Sequence, residues 1–340
     1  MSETPEAPET PEAPETPETP ESPEAPETPE TPELKAPQMI RRSEWFIVRL
    51  GLLLVFCLAA SCGRNQPDAA DAGSQKQRII SLAPSLTETL FALGLGDCIV
   101  ADTIYCETPE AAKTLPKVGA WNDVNIEQVL SFQPTCVCLP ATHPCRAKFE
   151  QMNIPLCAVD GRSLDNVIDG IELLGERFDR QERAHELASD MRGRLHALKK
   201  AYEGRRRLKV MVVVGRARGA RRVKDLTVVG DDAYFRPLLS IVGCDVQPAG
   251  NGIPYPAMSI EGVMSVSPEA VIEIAADCAT DGGKAAMEDW NASFPKLVER
   301  GAVFIFTENY ATVPGLRSVL FVEQLAQRLE KVRQTLENGR

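Results

Sequence analysis

Basic residues are in short supply in this 340-residue chain, where 37 Lys and Arg stand against 48 Asp and Glu and the net charge is -11. The excess is local. Residues 1–38 hold eleven Glu and one Lys, which leaves residues 39–340 within one charge of neutral. A near-neutral body excludes a nucleic-acid binder that works by neutralising phosphates. Catalytic signatures are missing as well: there is no Gly-rich phosphate loop, no GxSxG elbow, no HExxH and no compact Cys and His set. No catalytic residue is therefore nominated, and the chain reads as a non-enzyme. Long unbroken apolar runs are absent too, and 44% hydrophobic with 6% aromatic is the composition of a soluble globular protein, not a multi-span one. The length allows two domains with real cores.

Residues 1–38 repeat Glu, then Thr, Ala or Ser, then Pro. Each Pro fixes its own φ and pushes the preceding residue out of the helical region, so polyproline II or disorder is expected, extended by like-charge repulsion. The tract is either an acidic spacer or no part of the native product, since Met39 is a natural start codon. Residues 39–61 read as an export signal: Arg41, Arg42 and Arg49, then an apolar run from Leu50 to Ala60, then small residues. Leu58–Ser61 before Cys62 resembles a bacterial lipobox, with Ala59 where a larger aliphatic residue is usual, so cleavage before Cys62 and lipidation of its thiol are expected. Localisation in a bacterial cell envelope follows, periplasmic and lipid-anchored to a membrane. Residues 62–77, rich in Asp, Ala, Gly and Gln, read as a flexible tether.

Eight further Cys remain beyond Cys57 and Cys62. Cys136 and Cys138 share a face of an expected strand, yet lack the spacing of a zinc knuckle or a thioredoxin motif, so no metal site is assigned. An oxidising compartment permits disulfides, but most of these Cys sit in apolar runs and read equally as buried thiols.

From Arg78 the pattern alternates strand and helix. Apolar strands are expected at 79–82, 99–101, 136–139 and 156–159. Ser85 with Glu88 predicts a capping box ahead of the Leu86, Leu90 and Leu93 stripe, and Gly94 is placed to close that helix. Helices between strands imply parallel pairing. A long helical segment, 166–204 with a break near Arg180, carries one apolar stripe through Ala184, Leu187, Ala188, Met191, Leu195, Leu198 and Tyr202. Its second part, Gln181 to Tyr202, would run about 33 Å at about 1.5 Å per residue, enough for a strut across a domain. Lobes are expected at 78–165 and 205–335, on either side of it.

An internal repeat at an offset of 134 residues joins the two lobes. Asn125–Cys138 (NIEQVLSFQPTCVC) and Ser259–Ile272 (SIEGVMSVSPEAVI) agree at six of fourteen positions, and six residues before each repeated Glu stands an aromatic, Trp121 or Tyr255. Two α/β lobes held apart by a helix leave a cleft where strand-end loops face each other. Trp121 and Tyr255 are candidate cleft walls for a flat, partly apolar ligand, or alternatively plain loop anchors. Glu127 and Glu261 fall in first turns of helices, where a carboxylate favours the dipole. Their equivalence also suits docking onto a two-fold partner with paired cationic sites.

RIISLAPSLTETLFALG, LPKVGAWNDVNIEQVLSFQPTCV, the strut, LTVVGDDAYFRPLLSIVGCD, PYPAMSIEGVMSVSPEAVI and VPGLRSVLFVEQLA occur in order over Arg78 to Leu329. In these segments the chain resembles the periplasmic substrate-binding proteins that serve ABC importers of cobalamin, ferric siderophores and haem, the helical-backbone class III, and is most similar to the cobalamin-binding receptors. The resemblance implies an α/β fold of two Rossmann-like lobes with parallel-rich central sheets, joined by a single long backbone helix, with a ligand cleft between them and little closure on binding. It implies capture of cobalamin or another corrinoid and delivery to a permease dimer. The alternatives are a ferric siderophore, less favoured a haem or metal ion, and, in a different class, an envelope protein-interaction module. Tyr105, Trp121 and Tyr255 match cleft aromatics of that family, and Glu127 and Glu261 match carboxylates that meet permease arginines. Glu308, Asn309 and Tyr310 stand near a polar ligand contact. Arg216, with Arg218, Arg221 and Arg222, is placed to meet an anionic siderophore or a corrinoid phosphate, or forms a solvated rim. Pro140 replaces a further cleft aromatic, and Trp121 stands where haem receptors place a Tyr ligand, which counts against haem. His185 and His196 lie on the strut and only His143 near the cleft, which counts against bare metal ions. No resident cofactor is implied; the ligand itself is a corrinoid or a ferric chelate.

Overall fold

Four short apolar strands open the folded region of the computed structural model, which describes residues 77–219 and 221–338. β1 (Ile79–Ser81), β2 (Ile99–Asp102), β3 (Cys136–Pro140) and β4 (Leu156–Val159) form a sheet in the order β2-β1-β3-β4, with every pair parallel. Their residues are mostly buried, as continuous apolar runs in a sheet covered on both faces require. The helices between them are α1 (Pro84–Ala92), α2 (Ile126–Ser131) and α3 (Arg146–Gln151). The acidic repeat, the signal, Cys62 and all but the last residue of the tether lie outside the described residues.

The expected capping box does not form. Pro84 takes the first helical position, where its fixed φ and missing N–H are tolerated, so α1 begins two residues early, with Ala83 at the N-cap and no side-chain cap. Ser85 then lies inside the helix, and Glu88 is buried in an ion pair with Arg317. Gly94 closes α1 at a φ of 75° as expected.

The linking segment divides at Asp179, whose φ is 56°. α4 (Leu164–Arg177) is capped by Ser163 Oγ, which accepts from Asn166 N–H at 3.1 Å, and α5 (Gln181–Tyr202) is the strut. Ala184, Ala188, Met191 and Leu195 face the core. Its polar face is tied by Arg192 to Glu172 of α4 at 2.8 Å.

The second lobe contains β5 (Leu208–Arg216), β6 (Leu226–Val228), α6 (Phe235–Ser240), β7 (Cys244–Val246), β8 (Ala257–Met258), α7 (Ile260–Val266) and β9 (Ala270–Ile274). It ends with α8 (Lys284–Ser293), α9 (Pro295–Glu299), β10 (Val303–Phe306) and α10 (Ser318–Asn338). Parallel pairing runs β7-β5-β9-β10, the same order as β2-β1-β3-β4 in the first lobe. The difference lies at the far end of the nine-residue β5, where β6 and β8 add an antiparallel extension. The repeat is thus one structural unit made twice. Asn125 and Ser259 cap α2 and α7 through their side chains. Gln133 and Ser267, each just before the repeated Pro, are left-handed at φ of 46° and 48°.

A single apolar core runs through both lobes, from Ile79 and Leu90 through Ile171 and Met191 to Val212 and Phe321, and a smaller cluster lies under the first lobe's outer helices. α10 packs on the strut, with Arg194 on Glu323 at 2.7 Å and Tyr202 donating to the Ala326 carbonyl at 3.2 Å. Among the described residues all eight Cys are free thiols, five of them buried. No helix there is long and apolar enough to cross a membrane.

Candidate functional site: the cavity between the lobes

At the carboxyl ends of β1, β3 and β4 the chain leaves the sheet at Ala83, Pro140 and Asp160, and these turns form one wall of a cavity of about 670 Å³. The other wall comes from Asp231–Phe235, Pro254–Tyr255 and Thr312–Gly315, and the inner face of α4 forms its floor. Crevices at strand carboxyl ends are the ligand positions of open α/β sheets, and this volume suits a small-molecule ligand. The lining is predominantly apolar.

Trp121 sits at the tip of a tight turn. Ala120 N–H donates to the Asp123 carbonyl at 3.1 Å, and Gly119 pairs with Val124. Gly119 is obligatory there: its φ is 116°, and a Cβ would lie 2.2 Å from the Asp123 carbonyl oxygen. The indole packs edge-on against His143, with ring centroids 4.7 Å apart. His143 is buried, its Nδ1 accepts from Cys145 N–H at 3.2 Å, and burial lowers its pKa, so it backs the indole as a neutral ring. Among the described residues no group of three or more His, Cys, Asp or Glu is arranged to hold a metal ion.

Tyr255 is held differently. The segment 253–256 runs against 228–231, with Val228 N–H to Pro256, Gly230 N–H to Pro254 and Asp231 N–H to Ile253 at 2.8 to 3.0 Å. The phenol donates to Asp232 Oδ1 at 2.7 Å, and burial together with that carboxylate holds its pKa well above the ordinary value. Asp232 Oδ2 accepts from the N–H groups of Tyr234 and Phe235. Asp231 accepts from Gly250 N–H at 2.9 Å and Gly252 N–H at 2.6 Å, bonds that lower its pKa. On the first lobe's wall Arg162 binds Asp160 bidentately and brings that carboxyl down to about 2.

Trp121 and Tyr255 therefore meet across one cavity, 38% and 46% exposed. The other nominated residues do not line it. Tyr105 is 53% exposed on the turn after β2, beside the Trp121 loop through the Ile104 N–H bond to Gly119. Asn309 accepts from Arg317 at 3.0 Å, and Arg317 lies over the Tyr310 ring at 5.2 Å, so 308–310 belong to the seam where Arg317 meets Glu88. Arg216 is a clear correction. Its side chain is fully buried and bound to Glu273 at 2.9 Å and Asp289 at 2.7 Å, so it joins β5 to β9 and α8. Arg218 also pairs with Glu273, while Arg221 and Arg222 are exposed.

Asp160, Arg162, Asp231, Asp232 and Thr312–Gly315 escaped the sequence reading. The signal for two of them was visible: adjacent acids directly after Gly230 at the end of an apolar strand. Glu127 and Glu261 are exposed on the first turns of α2 and α7. Leu130 and Met264, also related by the 134-residue offset, are exposed one turn further on, at 40% and 60%.

A family profile described as "Periplasmic binding protein" matches residues 79–286. The vitamin B12-binding protein of Vibrio campbellii is 27% identical over 270 residues, 78% of this chain and 94% of that protein. The vitamin B12-binding protein of Yersinia pestis is 26% identical over 260 residues, 75% and 87%. Among solved structures, the periplasmic vitamin B12 binding protein BtuF of Vibrio cholerae superposes with a TM-score of 0.64 at 26% identity, over 76% of this chain and 98% of that one. The periplasmic heme-binding protein RhuT from Roseiflexus sp. shares the fold, with a TM-score of 0.65 at 21% identity over 76% and 99%.

Proposed function

We propose, from the premise that this chain belongs to the periplasmic binding protein family, that it captures cobalamin or another corrinoid between its lobes and hands it to an ABC permease dimer without changing it. The observation that carries this reading is the pairing of Trp121 and Tyr255, from equivalent loops of two lobes, across one largely apolar cavity. Two aromatic faces on opposite walls suit a large flat ligand, and such surfaces contribute much binding energy. The curated relatives that bind vitamin B12 support the choice of ligand. Pro140 lines the cavity and widens one wall where an aromatic would narrow it.

Delivery rests on α2 and α7. Each presents an exposed carboxylate and, one turn on, an exposed apolar side chain, in two lobes built alike. A partner with two-fold symmetry and paired cationic sites is the complement. Cys62 is the proposed lipid attachment point, which would hold the protein at the membrane where the permease lies.

Titration of the full chain with cyanocobalamin, followed by heat and tryptophan fluorescence, tests the ligand. Saturable binding with Kd at or below about 1 μM is expected. Trp121→Ala should weaken it at least about tenfold while leaving the thermal midpoint in place. No binding by the folded protein would overturn the corrinoid reading and move the titration to ferric siderophores. Unchanged affinity in Trp121→Ala would overturn the assignment of the site.

A further inference from the structure

We propose that the cavity selects its ligand by charge, accepting neutral or cationic chelates with N–H donors at their periphery and rejecting anionic ones. This rests on the cavity being the chelate site. The charged residues that line it are Asp160, Arg162, Asp231 and Asp232, one cation against three carboxylates. The cation is already committed, because Arg162 binds Asp160 through Nε and Nη2. Asp231 and Asp232 are left on the second lobe's wall with no salt bridge inside the cavity; the nearest cation, Arg236, lies outside it, donates to the carbonyls of Gly230, Val246 and Pro248, and acts on Asp231 only through its field.

Those two carboxylates are built in, not incidental. Five N–H or O–H donors converge on them: Gly250 and Gly252 on Asp231; Tyr234, Phe235 and Tyr255 on Asp232. Each carboxylate offers about four lone-pair sites, so neither is saturated by these donors. The Gly250 and Gly252 donors favour the ionised form of Asp231. The opposing feature is weaker. α1 starts at the first lobe's wall without a side-chain cap, and a helix N-terminus carries only about half a positive charge. That is enough to orient a carbonyl oxygen but not to neutralise two carboxylates.

The arginine that the sequence offered as an anion receptor is absent from the cavity. Arg216 is spent on Glu273 and Asp289, so a ligand carboxylate, catecholate or propionate would meet acceptors on the second lobe's wall. A ligand edged with primary amides suits both walls, one amide turning its N–H toward Asp231 or Asp232 and another its carbonyl toward α1. A corrin ring bears such amides around its edge. A haem bears two carboxylates, and a ferric triscatecholate carries three negative charges.

The test compares cyanocobalamin with its set of monocarboxylate derivatives, each with one peripheral amide hydrolysed, by calorimetric titration of the full chain. Amide and carboxylate are nearly isosteric, so the comparison isolates charge. At least one derivative should bind about tenfold or more weakly. That gap should narrow in Asp231→Asn and with added salt. Equal or tighter binding of every derivative, or a gap untouched by Asp231→Asn, Asp232→Asn and salt alike, overturns the proposal. If cyanocobalamin itself does not bind, the corrinoid reading falls and the charge rule is read on iron chelates. Preference for a cationic ferric trihydroxamate over a ferric triscatecholate keeps it, whereas the reverse preference, or binding of neither, overturns it.

Discussion

Asp102 shows how much one buried side chain can hold in place. It is fully buried at the end of β2 and accepts from Lys117 Nζ at 2.7 Å, while Lys117 also donates to the carbonyls of Cys106 and Ala112. Val118 N–H then binds the Asp102 carbonyl, which pins the start of the loop that carries Trp121. Burial outweighs the nearby cation and raises the Asp102 carboxyl to about 6 from 3.8. A folded-state pKa above the unfolded one means the folded protein binds this proton more tightly. The stabilising contribution is complete below about pH 4 and is lost as pH rises through about 6. Between those limits the linkage is on the order of 3 kcal/mol. Asp102→Asn should therefore flatten that part of the stability profile, read as urea unfolding at pH 4.5 and pH 7; parallel profiles for the two proteins would refute it. Tyr255 acts on the ligand side at the same scale. Tyr255→Phe keeps the ring but frees it from Asp232, so affinity should fall by less than about tenfold, and Tyr255→Ala should lose more. Equal losses would mean that the hydroxyl, not the ring, meets the ligand.

Among the elements, α2 and α7 were the most legible, because everything that defines them is local. Cap, carboxylate, apolar face, left-handed terminus, Pro and strand all fall within fourteen residues, and the second copy repeats the first. Reversing Glu127 and Glu261 together to Lys should abolish ligand uptake by cells while leaving ligand affinity intact, since neither residue lines the cavity. Normal uptake by the double variant would remove α2 and α7 from the docking surface. The strut was legible for a similar reason, its stripe of Ala184, Ala188, Met191 and Leu195 being helical spacing alone. What the sequence hid was decided at long range. Arg216 follows an apolar strand much as a ligand arginine would. Its partners stand 57 and 73 residues further on, brought beside it when β5 pairs with β9 and α8 packs nearby. Asn309 and Tyr310 are held by Arg317 nearby in sequence, but Arg317 is itself fixed by Glu88, 229 positions away. The missing capping box is the local counterpart: Pro84 started the helix before Ser85 could cap it.

Across the whole molecule the lobes meet at more than the strut. α10 lies along α5, and the core continues through both, so relative motion must disturb apolar packing as well as a hinge. The pair between Glu88 of α1 and Arg317 just before α10 is a further link, joining residues 229 positions apart. Arg317 Nε binds Glu88 Oε2 at 2.7 Å, Nη2 reaches the other oxygen, and Gly315 abuts Ser85 beside them. Glu88 is only 8% exposed, so either ion alone would be left poorly solvated. Arg317→Met or Glu88→Gln should each destabilise the fold by about 2–4 kcal/mol, while Glu88→Gln with Arg317→Met together should cost less than the sum. The same variants bear on motion. If the pair limits lobe closure, small-angle scattering of the parent protein should show little contraction on ligand binding, and Arg317→Met should contract more. A parent that contracts as much as the variant would show that the strut and α10, not the ion pair, set the distance between the lobes.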